Sequence, residues 1–357
     1  MIATRFTPNA TSHLVGSLPL TDHLAAHQLM LEHTPEIPLW IQLPCFPEEG
    51  MILQFLSGFP GLKEKKGSFY IETNTSFFEQ EMLSFYEEYL QFSSDLELLS
   101  KSRFAFTSHQ SPGFFILQET LKANTFPRPP IAIKGQITGP FTFATSISDE
   151  LKRAIFYDSQ LRDIAIKLVA TKARWQTRVL AQYGYPIIMY LDEPALTGFG
   201  SSEYISISKE DVQKSLSEVI TAIHEEDGLA GIHICGNTDW SLILSLEVDI
   251  INFDAYSYMD RFLLYADEIA LFLKKGGIIA WGIVPTLDID QIEQETVSSL
   301  FEKLIDGMNS LAGKTGVLIA QIIAQSLITP SCGLGSQTVA GANRVLELLK
   351  GVSTKIR

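Results

Sequence analysis

The chain has 357 residues, 46% of them hydrophobic and 19% charged, which is ordinary globular composition with enough apolar material for a full core. A formal net charge of −14 and a pI near 5.0 argue against nucleic acid and anionic membranes as partners. No basic segment leads into an apolar one at the start, no apolar run approaches the ~20 residues of a membrane span, and three cysteines suggest no disulfide framework, so the expectation is a cytoplasmic protein with reduced thiols.

Strand-like apolar runs alternate with amphipathic stretches, the pattern of an α/β protein with a parallel sheet. In chain order the strand candidates are residues 14–17, 39–43, 132–138, 187–192, 231–235, 250–254, 278–284 and 327–330. Helical stretches are expected at 149–183, 209–225, 259–274, 288–311 and 337–350, with Thr238-Asp239 and Asp288 as helix starts. Eight such strands with intervening helices predict a single (β/α)8 TIM barrel, one domain over residues 1–357. Residues 50–124 do not fit the repeat. There, 67–73 reads as a strand of an added hairpin and 75–99 as a charged, aromatic helix, an insertion near the barrel mouth.

Chemistry in such barrels gathers at the C-terminal ends of the strands. The polar residues that interrupt the apolar runs fall there: His13 and Ser17, Asp192 and Glu193, His233 and Cys235, Asp254, and Cys332. In His13-Leu-Val-Gly-Ser-Leu-Pro19, Gly16 and Ser17 offer backbone and hydroxyl donors for a carboxylate, a plain turn being the alternative. Ile133-Lys-Gly-Gln-Ile-Thr-Gly-Pro-Phe-Thr142 has glycines after a strand but neither a dinucleotide fingerprint nor a Walker lysine pattern. No Gly-x-Ser-x-Gly elbow occurs. Tyr190-Leu-Asp-Glu-Pro-Ala-Leu196 ends a strand on two adjacent carboxylates. Successive strand residues point oppositely, so one of the two faces the mouth. Asp192 could hold a substrate ammonium there, or cap the next helix.

Gly231-Ile-His-Ile-Cys-Gly236 is the sharpest feature. Side chains two apart on a strand share a face, so the imidazole of His233 and the thiol of Cys235 reach one point. Cys332 follows in Thr329-Pro-Ser-Cys-Gly-Leu334, at the end of another strand candidate. Soft sulfur with one imidazole suits zinc. The spacing is not that of a zinc finger, and cysteine is more often a small core residue. The convergence of separate strand ends on one rim favours the metal reading. Asn252 and Asp254 share a strand face, and Asp254, anionic and at the strand's end, is the better fourth ligand. A helix N-cap or an outer partner of His233 is the competing role for it. His23, His27, His33, His109 and His224 have no partner pattern.

Zinc held by two thiolates, an imidazole and a carboxylate carries net negative charge and is a poor Lewis acid for water. It suits a substrate thiol, which coordination would keep as thiolate at neutral pH, where a free thiol of pKa ~8.5 is mostly protonated. A coordinated thiolate can then attack an activated methyl group.

His13-x-x-Gly-Ser-x-Pro19, Gly135-Gln-x-Thr-Gly-Pro140, Leu191-Asp-Glu-Pro-Ala-Leu196, His233-Ile-Cys235, the strand ending at Asp254 and Pro330-Ser-Cys-Gly-Leu334 span nearly the whole chain. Together, and in this order, they resemble the catalytic C-terminal half of the cobalamin-independent methionine synthase family. The wider superfamily includes uroporphyrinogen decarboxylase and methylcorrinoid-dependent thiol methyltransferases. The resemblance implies zinc on His233, Cys235 and Cys332, with Asp254 in the place of the family's glutamate ligand, one methylene shorter. It further implies that Gly16 and Ser17 bind the amino-acid end of homocysteine and that Asp192 holds its amino group. No catalytic residue beyond the metal site is assigned.

The departures point to the methyl donor. Full-length folate enzymes of the family have two barrels. Ser146 stands where they carry a folate-contacting tryptophan, Gly198 where they carry a glutamate, and the neighbourhood of Thr125 where they carry an arginine. Their catalytic histidine has no counterpart in Gly282-Ile-Val-Pro-Thr286. The expected activity is a zinc-dependent S-methyltransferase making methionine from homocysteine. Its donor would be a methylcorrinoid on a corrinoid protein rather than polyglutamyl methylfolate. A coenzyme-M-like thiol is the alternative acceptor. A decarboxylase-like or corrinoid-binding barrel is the alternative class, disfavoured by the charge and by the absence of an N-terminal arginine cluster.

Overall fold

The structure is a computed structural model that describes residues 7–91 and 96–357. The described residues form strands β1 (Thr11–Ser12), β2 (Leu62–Lys65), β3 (Ser68–Ile71), β4 (Ile133–Thr138), β5 (Ile187–Asp192), β6 (Leu229–Ile234), β7 (Ile250–Phe253), β8 (Ile278–Val284) and β9 (Ser326–Pro330). Seven of them make one parallel sheet in the order β1-β9-β8-β7-β6-β5-β4. The strands are buried on both faces, which is why they read as nearly unbroken apolar runs.

The sheet curls, and its two edges approach one another through residues 38–42. Leu39 bridges to Lys134 of β4, and Gln42 bridges to Ser17 beyond β1. The backbone bonds are Lys134 N to Pro38 O, 3.0 Å, Gln42 N to Gly16 O, 3.0 Å, and Leu18 N to Gln42 O, 3.1 Å. This corrects the expected closed eight-stranded barrel. Residues 39–43 form isolated bridges instead of a ladder, and the strand expected at 14–17 lies at Thr11–Ser12 instead. Pro38 and Pro44 bracket the crossing segment and have no amide hydrogen to extend its pairing.

Two apolar cores result. A small one lines the concave side of the sheet and includes Ile37, Ala132, Ile188, Tyr190, Ile250, Ile278, Ala280 and Leu327. A large one fills the space between the convex side and the helices. The longest helix, Ser159–Ala181, starts at Asp158, whose carboxylate accepts from the amides of Gln160 and Leu161. It buries Leu161, Ile164, Ala165, Leu168, Val169, Trp175 and Val179, a stripe with helical spacing. Two expected helices are broken. The 259–274 stretch is Ala255–Phe262 followed by Ala266–Lys274, and 288–311 is Ile289–Gln294 followed by Val297–Thr315. The second break has a local cause: Thr296 and Ser299 form a fresh capping box. No described helix is long and apolar enough to cross a membrane.

Within residues 50–124, β2 and β3 pair antiparallel around Lys66 and Gly67, both with positive φ (55° and 78°), the backbone of a tight primed hairpin turn. The helix Phe78–Gln91 follows; the remainder of the stretch expected to 99 lies partly outside the described residues. The start of this stretch meets the C-terminal end of β4, where Thr138 Oγ1 donates to Met51 O at 2.6 Å. Its helix Phe78–Gln91 lies instead on the outer flank, where Tyr86 Oη donates to Asp163 at 2.7 Å.

Candidate metal centre

His233, Cys235 and Cys332 meet. A ring nitrogen of His233 and the two sulfurs all lie within 4.8 Å of one another. His233 is in the last turn of the β6 pleat, Cys235 follows the strand's end, and Cys332 lies just past β9. Curvature of the sheet across β7 and β8 brings the two strand ends to one point.

The imidazole is held in one tautomer. His233 Nδ1 is 2.6 Å from Asn252 Oδ1. The Asn252 amide nitrogen donates to Ala280 O at 2.9 Å and to Thr329 Oγ1 at 2.8 Å. A carbonyl only accepts, so the amide cannot be turned round, and Asn252 offers His233 an acceptor. Nδ1 therefore carries the hydrogen and Nε2 a lone pair. Nε2 is buried without a partner among the described residues. Burial also lowers the ring's pKa to about 4, so it is neutral at pH 7. Register explains the fit: His233, Asn252 and Ala280 are lateral neighbours across β6, β7 and β8 and share a face.

The half-buried Cys235 thiol is drawn down by a hydrogen bond from Cys332, and the Cys332 thiol is raised by the same bond. Asp192 opposes ionisation of both sulfurs. Asp254 sits at the end of β7 and caps the helix Ala255–Phe262, accepting from Ser257 N at 2.9 Å. Burial raises its pKa. Its carboxylate lies outside the cluster of three, and Asn252 holds the outer position behind His233.

Asp192 and Glu193 diverge as strand geometry requires. Asp192 is the lateral neighbour of Thr138 and of His233, on the concave face. Its Oδ1 is buried without a partner among the described residues, and burial lifts its pKa to about 7 against the pull of Lys134. Glu193 points the other way. It accepts from Phe141 N (3.0 Å), Thr142 N (2.8 Å) and Thr142 Oγ1 (2.6 Å), holding the first turn of the helix Pro140–Ser146. A Cβ at Gly139 would lie 2.2 Å from that carboxylate, which accounts for glycine in Thr-Gly-Pro.

Ser17 and the Cys332 loop are stitched together. Ser17 O accepts from Leu334 N at 3.0 Å and Ser17 Oγ from Gly335 N at 3.1 Å. A Cβ at Gly333 would lie 2.4 Å from Ser17 Oγ. A Cβ at Gly16 would lie 2.9 Å from Gln42 Oε1.

Sequence reasoning missed Lys134 and the pairing of His13 with Tyr190. Lys134 is fully buried, donating to Val15 O at 2.5 Å and to Gln136 Oε1 at 3.2 Å, and burial lowers its pKa to about 8. The Tyr190 ring lies 4.9 Å from its Nζ. His13, also buried, donates from Nδ1 to Leu14 O (2.9 Å), so Nε2 accepts from Tyr190 Oη (3.1 Å). The available signal was the polar alternation of Lys134, Gln136 and Thr138 inside a strand-like run.

No protein-family model matches the chain, and no curated protein matches it. Among solved structures, it is similar to a B12-independent methionine synthase from Shewanella sp. W3-18-1 in complex with selenomethionine, with a TM-score of 0.47 and 16% identity. The match covers 68% of this chain and 66% of that one, so it spans just under two thirds of that protein.

Proposed function

We propose that the chain is a zinc-dependent S-methyltransferase that acts on homocysteine or a close amino-acid thiol. The observation that carries this reading is the orphaned, buried Nε2 of His233, presented in a fixed tautomer beside two thiols. An unpaired buried acceptor costs stability unless something fills the place. Two sulfurs and an imidazole, with an amide orienting the imidazole from behind, are a zinc donor set with its outer partner. A zinc ion held there would supply the charge that lets an incoming thiol shed its proton at neutral pH.

The chain's own residues supply the rest. Asp192 would take the acceptor's ammonium group, a role supported by its buried, unpartnered Oδ1. Ser17 Oγ already accepts from Gly335, which leaves its O–H to donate to a carboxylate beside Gly16. This favours an amino-acid thiol over a sulfonate thiol such as coenzyme M, which has no ammonium group for Asp192. Ser146 and Gly198 replace folate contacts of the family that the sequence resembles, which supports a methylcorrinoid, carried by a corrinoid protein, as donor. In that transfer the new S–C bond forms as the Co–C bond breaks. The bonding pair stays on cobalt, reducing Co(III) to Co(I), and the thiol proton goes to solvent.

The test is metal analysis combined with turnover. Purified protein should carry about one zinc per chain and convert homocysteine and methylcobalamin to methionine. Cys332→Ser should lose both the metal and the product. Full activity in zinc-free protein would overturn the reading.

A further inference from the structure

A directed chain of side-chain hydrogen bonds starts at Lys134 and leaves the barrel interior. Lys134 Nζ donates to Gln136 Oε1 (3.2 Å), and Gln136 Nε2 donates to Gln42 Oε1 (3.3 Å) and Trp40 O (2.8 Å). Gln42 Nε2 donates to Gln54 Oε1 (2.6 Å), and Gln54 Nε2 to Gln110 O (2.8 Å) and Ser111 Oγ (3.2 Å). The backbone carbonyls of Trp40 and Gln110 only accept, so two of the three amides cannot be reversed. The chain therefore has one polarity, outward from a buried ammonium.

The chain runs where the sheet lacks its eighth ladder. It passes directly under Gly16, where a Cβ would strike both Gln42 Oε1 (2.9 Å) and Gln136 Nε2 (3.2 Å). The same ammonium donates to Val15 O, one residue before Gly16. Lys134 thus holds the Val15–Ser17 segment directly at Val15 O and holds Gln136, which packs beneath Gly16. On the neighbouring strand β5 stands the unpartnered carboxylate oxygen of Asp192, on the same concave face.

We propose that Lys134 is a positioning and specificity-determining residue: it sets the separation between the Gly16-Ser17 donors and Asp192, so that the site favours thiols carrying both a carboxylate and an ammonium group. The inference rests on the reading of this region as the thiol site. Lys134 acts through Val15, Gln136 and the chain beyond them, and through the attraction of its charge for Asp192, without a role at the reacting sulfur. Both halves of an amino-acid end are engaged together only if the two anchors keep their spacing, as in any preorganised site.

The experiment is calorimetric binding to the zinc-loaded protein of three thiols: homocysteine, its des-amino analogue 4-mercaptobutyrate, and propanethiol. Wild type should prefer homocysteine. Lys134→Met should cut that preference by roughly tenfold, the scale of one charge-assisted hydrogen bond, with zinc content and propanethiol affinity unchanged. Gln136→Leu, which keeps the charge and breaks the next link, should give a smaller loss in the same direction and serves if Lys134→Met does not fold. An equal loss for all three thiols, or an undiminished preference in the folded variants, overturns the inference while leaving the thiol site standing. Wild type that binds none of the three overturns the thiol-site reading and the inference with it.

Discussion

The two sides of the curled sheet are built differently. On one side, β6, β7, β8 and β9 are joined by backbone ladders, with a single register shift between Gly282 and Val284 in the β8–β9 pair, and they carry His233, Asn252, Thr329 and, at the ends, Cys235 and Cys332. On the other side, between β1 and β4, residues 38–42 make only isolated bridges. Side chains complete the structure there: the glutamine chain on the inside, and on the outside Trp40 against Phe55, Phe106 and Phe114. Ladder bonds fix strand ends to within a pleat, which suits ligands that must converge on one small ion. A side-chain frame is set residue by residue, and suits the part of a site that chooses its substrate.

The comparison predicts that metal affinity answers to the laddered side alone. Behind the ligands themselves, the largest effect on the metal is expected from Asn252→Ala, which removes the acceptor behind His233 and frees the imidazole to turn. Outer partners of metal-bound histidines are typically worth 10- to 100-fold in affinity. Zinc affinity, measured by chelator competition, should fall by about that factor, with the fold intact by circular dichroism. Unchanged affinity would mean that the His233 tautomer is not part of the metal site.

The two sides were also unequally legible in the sequence. His-x-Cys on a period-two run places two ligands on one face with no further information, and Cys332 at a strand end completes them. Divergence of Asp192 and Glu193 follows from the pleat, although which of them faces inward does not. Asn252 was visible as a residue sharing the ligand face, but its service to His233 depends on lateral register, and register is a product of the assembled sheet. Lys134 stayed hidden because lysine is almost always solvated. Its meaning comes from Val15 and Gln136, which only the fold brings near. The eighth strand failed for a reason that was in view: prolines at 38 and 44 bracket it.

A second effect, on stability and not on metal affinity, tests the outer support of the irregular side. Lys172 is buried in the helix Ser159–Ala181, with Nζ 3.3 Å from Arg103 O and 5.9 Å from the Phe106 ring that packs on Trp40. Burial lowers its pKa from 10.5 to about 7. Between these values the unfolded chain holds a proton that the folded protein has released. Stability from this group therefore rises with pH through the window from 7 to 10.5, by at most about 1.4 kcal/mol per pH unit. Lys172→Met removes the titration. Urea unfolding across that window should show a flatter profile for the variant, with its advantage over wild type greatest near pH 7 and shrinking as pH rises. A constant difference between the two proteins at all pH values would show that Lys172 keeps its proton on folding.

The smallest expected effect marks where the laddered side stops serving the metal. Asp254 stands at the end of β7, on the same rim as the three ligands, and one of its carboxylate oxygens accepts from Ser257 N at the start of the next helix. An N-cap of this kind is worth about 1 kcal/mol, and that is the stability Asp254→Ala should lose. Zinc content should not change, because the donors that converge are His233, Cys235 and Cys332. Thermal melts and metal analysis on one preparation separate the two roles. Zinc loss as complete as in Cys332→Ser would make Asp254 a fourth ligand, reached by a shift of the helix start. Zinc retained with a lowered melting temperature would leave the fourth position free for the incoming thiol.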